Sequence, residues 1–150
     1  MLGLTQQGLA ASDGFGANLS YKTIVFDGGA GSGAVGTVAL YTVTGAVLLR
    51  LVCICTEALV EGVGGGTVEV GIVGATANLI AQTTSTNIIA GEVWHDNAPD
   101  SEIEDISVMV GRVIGDGNDI ILTVGAQDVT DGTLALAAFW TPITAGATVT

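Results

Sequence analysis

The residues of this chain that could do chemistry gather around its single histidine, His95. Five acidic residues follow it within ten positions: Asp96, Asp100, Glu102, Glu104 and Asp105. A catalytic histidine acts on a neighbouring Ser or Cys, and the sequence carries no nucleophile motif that would supply one. Clustered carboxylates could bind calcium through their oxygens, but these do not follow the EF-hand spacing. The pattern favours a hydrogen-bonded loop histidine beside a solvated acidic loop.

The carboxylates of residues 116–119 (DGND) raise the same question of calcium, and paired carboxylates are also the catalytic groups of glycosidases. These four residues also match an ordinary hairpin turn, and a sugar-cleaving cleft would need aromatic platforms. The Tyr and Trp residues available for that role are Tyr21, Tyr41, Trp94 and Trp140. Trp140 shares a strand face with Leu134, Leu136 and Ala138, so it is predicted to be core. The sequence predicts no catalytic, cofactor-binding or metal-binding residues.

Residues 31–36 (GSGAVG) match the G-x-G-x-x-G fingerprint of dinucleotide-binding folds. That fingerprint works where the glycines lead into a helix whose N-terminus faces the pyrophosphate. The residues that follow (TVALYTVT) are rich in β-branched side chains and predict a strand instead. Residues 62–66 lack the Lys and Ser/Thr of a P-loop. Both glycine-rich segments are therefore predicted to be turns.

Cys53 and Cys55 stand two residues apart in the segment LVCICT. On a strand both thiols point to one face, separated by roughly 6.6 Å along the chain, which disfavours a mutual disulfide. A zinc site would need two further ligands, and the sequence has no second cysteine pair. We predict two buried, reduced core cysteines.

The charge balance excludes two classes of partner. Fifteen acidic residues face three basic ones, Lys22, Arg50 and Arg112, for a formal net charge of −12. Binding to nucleic acid depends on Lys and Arg that neutralise phosphates, and an acidic field repels anionic membranes as well. The uncharged stretches 28–49 and 70–91 are interrupted by Gly, Thr, Ser or Asn and do not match a spanning helix. The N-terminus lacks the basic and apolar regions of a signal peptide. We expect a soluble chain that binds neither nucleic acid nor membrane.

Short strand patterns separated by polar turns run along most of the chain, and no segment shows sustained helical periodicity. Residues 1–20 are predicted to form an N-terminal arm and residues 21–150 a single β domain. The spacing predicts an all-β, antiparallel β-sandwich or jelly roll of about eight or nine short strands, with little or no helix. The predicted strands are 21–26, 37–44, 46–56, 67–73, 91–95, 106–114, 120–124 and 133–140, with one or two more within 75–90.

Two strand pairings and one central strand follow from these patterns. Thr44-Gly45 predicts a tight hairpin between strands 37–44 and 46–56. Turn residues at 115–118 and 128–132 predict a meander of the last three strands. The segment 46–56 is apolar on both faces apart from two residues, which predicts a central strand covered on both sides.

The last third of the chain resembles a known family in four places. It has a Gly-Glu-Val-Trp strand at 91–94, an Asn-Ala-Pro loop at 97–99, a Gly-Asp-Gly-Asn turn at 115–118 and a strand ending Phe-Trp-Thr-Pro-Ile at 139–143. This order resembles small virion proteins of tailed bacteriophages, the capsid decoration (cement) and head-fibre proteins. The resemblance covers mainly residues 91–143, and residues 1–90 share only a Gly- and Thr-rich β character. It implies a jelly-roll or β-sandwich module, commonly trimeric, on the outside of an icosahedral shell, with no active-site residues to carry over.

The combined expectation is a non-enzymatic virion protein, made in the host cytoplasm, on the exterior of the capsid. Its predicted partners are the major capsid protein and further copies of itself, with a homotrimer favoured. A charged fraction of 12% suits a protein that buries much of its surface in contacts. The alternatives are another phage structural subunit (head fibre, tail or adaptor) and a carbohydrate- or calcium-binding β-module for adsorption. A small enzyme is the remaining class.

Overall fold

The computed structural model describes residues 18–101, 103–109 and 111–150, and their regular structure is almost entirely β. The strands are β1 (Asn18–Val25), β2 (Gly36–Tyr41), β3 (Val43–Thr44), β4 (Val47–Glu61), β5 (Thr67–Ile72), β6 (Ala75–Thr84), β7 (Glu92–Val93), β8 (Asp100–Ser101), β9 (Arg112–Ile114), β10 (Ile120–Gly125), β11 (Val129–Pro142) and β12 (Thr148–Val149). Two single 3-10 turns, Ser85–Asn87 and Ile106–Val108, are the helical elements of this part of the chain. The all-β prediction is confirmed. The N-terminal arm was predicted at residues 1–20. Residues 1–17 lie outside the described residues, and β1 begins at Asn18, within the range predicted for the arm.

The strands form two main antiparallel sheets around one hydrophobic core. The larger sheet has the order β1-β11-β4-β7-β8, with β9 also pairing with β4. The smaller sheet has the order β2-β10-β5-β6, and β3 and β12 form a separate two-stranded ladder. Buried residues from both sheets contribute to one continuous cluster, so the sheets stack as a β-sandwich.

The chain crosses repeatedly between the two sheets. β1, β4, β7 and β11 belong to the larger sheet, whereas β2, β5, β6 and β10 belong to the smaller one. In the larger sheet β1 lies beside β11, and in the smaller sheet β2 lies beside β10. The orders β1-β11-β4-β7 and β2-β10-β5-β6 are those of a jelly roll.

This topology corrects both predicted local pairings. β2 pairs with β10 and β4 pairs with β11, so the hairpin predicted at Thr44-Gly45 is wrong. The predicted meander is also wrong, because β9 pairs with β4, β10 with β2 and β5, and β11 with β1 and β4. Turn residues reverse the chain locally, but which strands pair is decided by burial between distant segments. The same turns serve here as corners between sheets.

Carboxylates in these corners accept hydrogen bonds from distant backbone. Asp119 Oδ1 accepts from the backbone N–H of Val43 at 2.9 Å. Asp116 Oδ1 accepts from Gly45 at 2.7 Å, and Asp128 Oδ1 accepts from Val35 at 2.8 Å. The corners around residues 116–119 and 128 are therefore tied to the segments that surround β2 and β3.

Two predicted strands in the last third are shorter than expected. The segment 106–114 begins as a 3-10 turn and becomes a strand only at β9. Asp105 Oδ1 accepts from the backbone N–H of Ser107 at 2.9 Å, which caps that turn. The segment 91–95 is a strand only at β7, and the ambiguous segment 75–90 holds one long strand, β6.

The core confirms the predictions for the cysteines and Trp140. Cys53 and Cys55 are free thiols, buried on the inward face of β4. Trp140 is 9% exposed, and its indole N–H donates to the Ser20 hydroxyl at 3.1 Å. Trp94 is fully buried and donates to the Thr83 hydroxyl at 2.8 Å.

We predict that Asp119→Ala lowers the free energy of unfolding by about 1–3 kcal/mol, because the N–H of Val43 loses its acceptor. Urea unfolding followed by tryptophan fluorescence measures the change. Asp119→Asn keeps one carbonyl oxygen at that position and should lose clearly less stability. Equal losses in both variants would contradict this role for the carboxylate.

Candidate functional site

A small cleft lies beside the histidine, between β6 of the smaller sheet and β4 and β9 of the larger one. Eleven residues line it: Leu51, Ala77, Asn78, Leu79, Ile80, Ala81, His95, Asp96, Val108, Met109 and Arg112. Its volume is about 200 Å³, below the roughly 300–1,000 Å³ typical of sites for small organic ligands. Arg112 closes part of it by donating from Nε to the backbone oxygen of Asn78 at 3.2 Å. The cleft could admit water or an ion more readily than a metabolite.

His95 lies at the centre of a group of carboxylates. Its Nε2 is 2.8 Å from Glu104 Oε2 and 3.6 Å from Asp100 Oδ2, and its Nδ1 is 3.6 Å from Asp96 Oδ2. The His95 and Glu104 side chains are 9% and 13% exposed, whereas that of Asp100 is 61% exposed. The structure thus brings three of the sequence-predicted acidic residues to the histidine. Asp105 instead caps the 3-10 turn, and Glu102 lies outside the described residues.

Hydrogen bonding keeps Asp100 in its charged form. The Glu104 side chain contributes most, followed by His95, and together they hold the pKa of Asp100 below its ordinary value.

Among the described residues that line the cleft, none is a Ser, Thr or Cys. Both cysteines point into the core from β4, and burial raises the pKa of Cys53 and of Cys55, the latter to about 11. The thiolate form that a nucleophile needs is therefore strongly disfavoured. This arrangement does not assemble a nucleophile–histidine pair.

The other sequence candidates serve local structure. Residues 31–36 form a turn with positive φ angles at three of their glycines, and no helix follows them. In the loop at 62–66, the Glu61 carboxylate accepts from Gly65 N at 2.7 Å and from the Ser85 hydroxyl at 2.6 Å. The Ser85 hydroxyl is the main cause that lowers the pKa of Glu61. Both glycine-rich segments are turns, as predicted.

The aromatic residues offer little to a sugar ligand. Trp94, Trp140 and Tyr41 are buried, and the Tyr41 hydroxyl donates to the backbone oxygen of Leu136 at 3.2 Å. Tyr21 is 76% exposed and is the one Tyr or Trp in the described chain that could act as a platform.

The larger sheet has an exposed surface that the sequence patterns did not predict. We call the side of this sheet that points away from the core the outer face. Its residues alternate with core residues along β1, β11, β4 and β9: Leu19, Tyr21, Thr23, Val25, Thr133, Ala135, Ala137, Phe139, Thr141, Leu48, Arg50, Val52, Ile54, Thr56 and Val113. Arg50 is the one charged residue in this list, and Glu57, which lies opposite Thr133, adds a carboxylate at one end of the face.

Bulky apolar side chains on the outer face remain exposed. Tyr21, Val113 and Val25 are 76%, 67% and 61% exposed, and Leu48 and Leu19 are 45% and 42% exposed. The prediction that β4 is covered on both sides is therefore only half met within the chain. The signal was present in the sequence as apolar residues on both faces of 46–56, but a single sequence does not tell whether the chain itself covers the second face.

The outer face of the smaller sheet has a different character. Its positions are mostly Thr, Gly and Ala, with Glu69 as an acidic member, and Thr37 and Ala39 are exposed on its edge strand β2. The two sides of the sandwich thus differ in chemistry as well as in strand number.

No protein-family model, curated protein or solved structure matches this chain. In the described part of the chain, no helix has the length and apolar character needed to cross a membrane.

Burial of both thiols predicts slow reaction with an aromatic disulfide reagent such as DTNB. At pH 8 the native protein should release almost no thiolate from the reagent, and the denatured protein should release two equivalents, one for each cysteine. Absorbance of the released product measures the rate. Rapid reaction of one thiol in the native state would show that a cysteine reaches solvent and is available for chemistry.

Proposed function

We propose that this chain is a non-enzymatic virion protein that binds the outer surface of an assembled phage capsid and stabilises it. The observation that carries the proposal is the outer face of the larger sheet, where Leu, Val, Tyr and Phe side chains surround a single basic residue, Arg50, and the one carboxylate beside them, Glu57, lies at one end. A contiguous exposed apolar surface of this kind is typical of a protein-binding site.

The size of the outer face fits a protein contact. Three strands spaced about 4.8 Å apart and about eight residues long cover roughly 400 Å² in projection, within the range of functional patches on monomers. At about 25 cal/mol per Å², burial of this area contributes on the order of 10 kcal/mol before the costs of association. One such contact supports weak binding, and several together support strong binding.

The distribution of charge favours a protein partner. Many acidic residues of the described chain, such as Asp27, Asp116 and Asp128, lie in turns and loops, and the outer face along β1, β11, β4 and β9 carries only Arg50 and, at one end, Glu57. Loops of this charge repel nucleic acid and anionic membranes. An apolar, nearly uncharged face can approach a capsid subunit without desolvating carboxylates.

The resemblance of residues 91–143 to capsid decoration and head-fibre proteins supports the same role. In the structure these residues run from β7 to β11 and contribute strands to both sheets. The jelly-roll strand order is also common in viral capsid proteins, although it occurs in lectins as well, so this support is an analogy of fold.

The mechanism is linkage between binding and assembly. A protein that binds the assembled shell and not its free subunits lowers the free energy of the assembled state. A homotrimer, as proposed here, would multiply each contact threefold and raise the total affinity through multivalency. Closed cyclic symmetry also suits a site that repeats over an icosahedral surface.

Purified virions that contain this chain test the proposal. We expect immunogold labelling on the capsid exterior and, by quantitative mass spectrometry, a copy number comparable with that of the major capsid protein. A few copies per particle, or labelling of the tail, would assign the chain to a head-fibre, tail or adaptor role instead. Binding to a glycan array in place of the capsid would favour an adsorption module.

We predict that Tyr21→Asp on the outer face reduces binding to capsids stripped of the protein by about tenfold or more, because an unpaired carboxylate would be buried at the contact. Co-sedimentation measures the bound fraction. Thr37→Asp on the smaller sheet adds the same charge at an exposed strand position and should bind as the wild type does. If Tyr21→Asp binds equally well, the outer face is not the capsid-binding surface.

A further inference from the structure

We propose that His95, Asp100 and Glu104 form a binding site for one divalent transition-metal ion, of which Zn²⁺ is the representative probe. One ligand atom from each residue lies within 4.8 Å of the other two. The donor set combines an imidazole nitrogen with two carboxylate oxygens. The proposal stands independently of capsid binding.

The distances are those expected around a small cation. Zinc binds His nitrogen and carboxylate oxygen at about 2.0–2.2 Å, which places neighbouring ligand atoms about 3–3.5 Å apart. His95 Nε2 lies 2.8 Å from Glu104 Oε2 and 3.6 Å from Asp100 Oδ2. Shifts of a few tenths of an ångström would therefore bring the three atoms onto one coordination sphere.

The backbone that carries the ligands is held by the core. Trp94, fully buried, precedes His95, and its backbone N–H donates to the oxygen of Cys53 on β4 at 3.0 Å. The Thr83 hydroxyl accepts from the Trp94 indole and donates to the backbone oxygen of Asp96, each at 2.8–2.9 Å. The histidine therefore sits between two anchored neighbours, and its side chain is 9% exposed.

Asp100 is placed by strand pairing. It belongs to β8, where it lies opposite Val93 of β7, so the loop between the two strands carries both His95 and Asp96. Glu104 follows β8 and returns to the histidine just before the 3-10 turn. The three ligands thus come from one hairpin and the segment that leaves it.

The second ring nitrogen of His95 also faces a carboxylate. Metal-binding histidines usually direct their other ring nitrogen toward a carboxylate, a carbonyl or water, which orients the ring. Here Asp96 Oδ2 lies 3.6 Å from Nδ1, on the opposite side of the ring from the proposed ligands. Asp96 is itself fixed, because its Oδ1 accepts from the backbone N–H of Ala98 at 2.7 Å. We assign Asp96 as a positioning residue.

The local charge favours a cation. Asp96, Asp100, Glu104 and Asp105 lie within ten residues of one another in a chain with a net charge of −12. Arg112, a residue of the adjoining cleft, directs its Nε to the backbone of Asn78. A divalent ion between Asp100 and Glu104 would offset the repulsion between their two carboxylates.

The donor types select the ion. Calcium and magnesium prefer all-oxygen sites, whereas an imidazole beside carboxylates suits zinc and related transition metals. Three protein ligands leave a fourth position of a tetrahedral ion for water. The proposal replaces the sequence-based expectation of no metal-binding residue, because the sequence does not show that Asp100 and Glu104 return to the same ring nitrogen.

Isothermal titration of the full chain with ZnCl₂, in a non-chelating buffer at neutral pH, tests the site. We expect one Zn²⁺ per chain with micromolar affinity, and a melting temperature that rises by several degrees at saturating Zn²⁺. His95→Ala, Asp100→Asn and Glu104→Gln should each weaken binding by more than about tenfold, and Asp96→Asn by about tenfold. CaCl₂ should bind more weakly than ZnCl₂.

Asp128→Asn is the matched control, since it removes one carboxylate far from the histidine and keeps an acceptor for Val35. It should bind Zn²⁺ as the wild type does, and far-UV circular dichroism should show that all variants are folded. Absence of Zn²⁺ binding by the wild type would refute the site. So would ligand variants that bind like Asp128→Asn, or tighter binding of Ca²⁺ than of Zn²⁺.

Discussion

The rest of the structure depends on the pairing of the two longest strands, β4 and β11. They pair in antiparallel register from Val47 opposite Pro142 to Glu61 opposite Val129, although about seventy residues separate them in the chain. This register turns Leu49, Cys53 and Cys55 toward the core and leaves the alternate residues on the outer face. Because side chains alternate with a period of two, a slip of one residue would exchange the two faces. The core and the exposed apolar face are therefore two consequences of one register.

The same strand also positions the histidine cluster. β7 reaches β4 where Val93 lies opposite Ile54, and the backbone N–H groups of Gly91 and Trp94 donate to the oxygens of Cys55 and Cys53. Trp94 then fills the core and directs the chain out to His95. The histidine cluster therefore lies one strand away from the buried strand β4. This position explains why the side chain of His95, although it lies in a loop, is only 9% exposed.

Charge and apolar surface are separated on this molecule. Several carboxylates in the corners between sheets accept hydrogen bonds from backbone N–H groups, whereas the outer face along β1, β11, β4 and β9 carries only Arg50 and, at one end, Glu57. Because of this separation, the acidic corners repel other anions, while the outer face can still make apolar contacts. The separation follows from the topology. In a jelly roll the turns lie at the ends of the strands, so carboxylates in the turns lie away from the middle of the proposed binding surface.

The sequence by itself determined the class of the fold, the buried thiols and the core position of Trp140. These follow from local properties: alternation along a strand, the absence of helical periodicity and the side on which a residue falls. It did not determine the partners of the strands. Thr44-Gly45 and the turn at 115–118 reverse the chain in a similar way whether the next strand joins the same sheet or crosses to the other one.

The tertiary structure alone decided which distant groups meet. Asp119 pairs with the backbone of Val43, and Asp100 and Glu104 converge on one nitrogen of His95, because long-range strand pairing fixes where each loop begins and ends. The outer face was present in the sequence as a second apolar side of β4, but its exposure became visible only once the strands were paired. Local periodicity is encoded residue by residue, whereas pairing depends on the burial of the whole chain, and both the outer face and the histidine cluster are products of pairing.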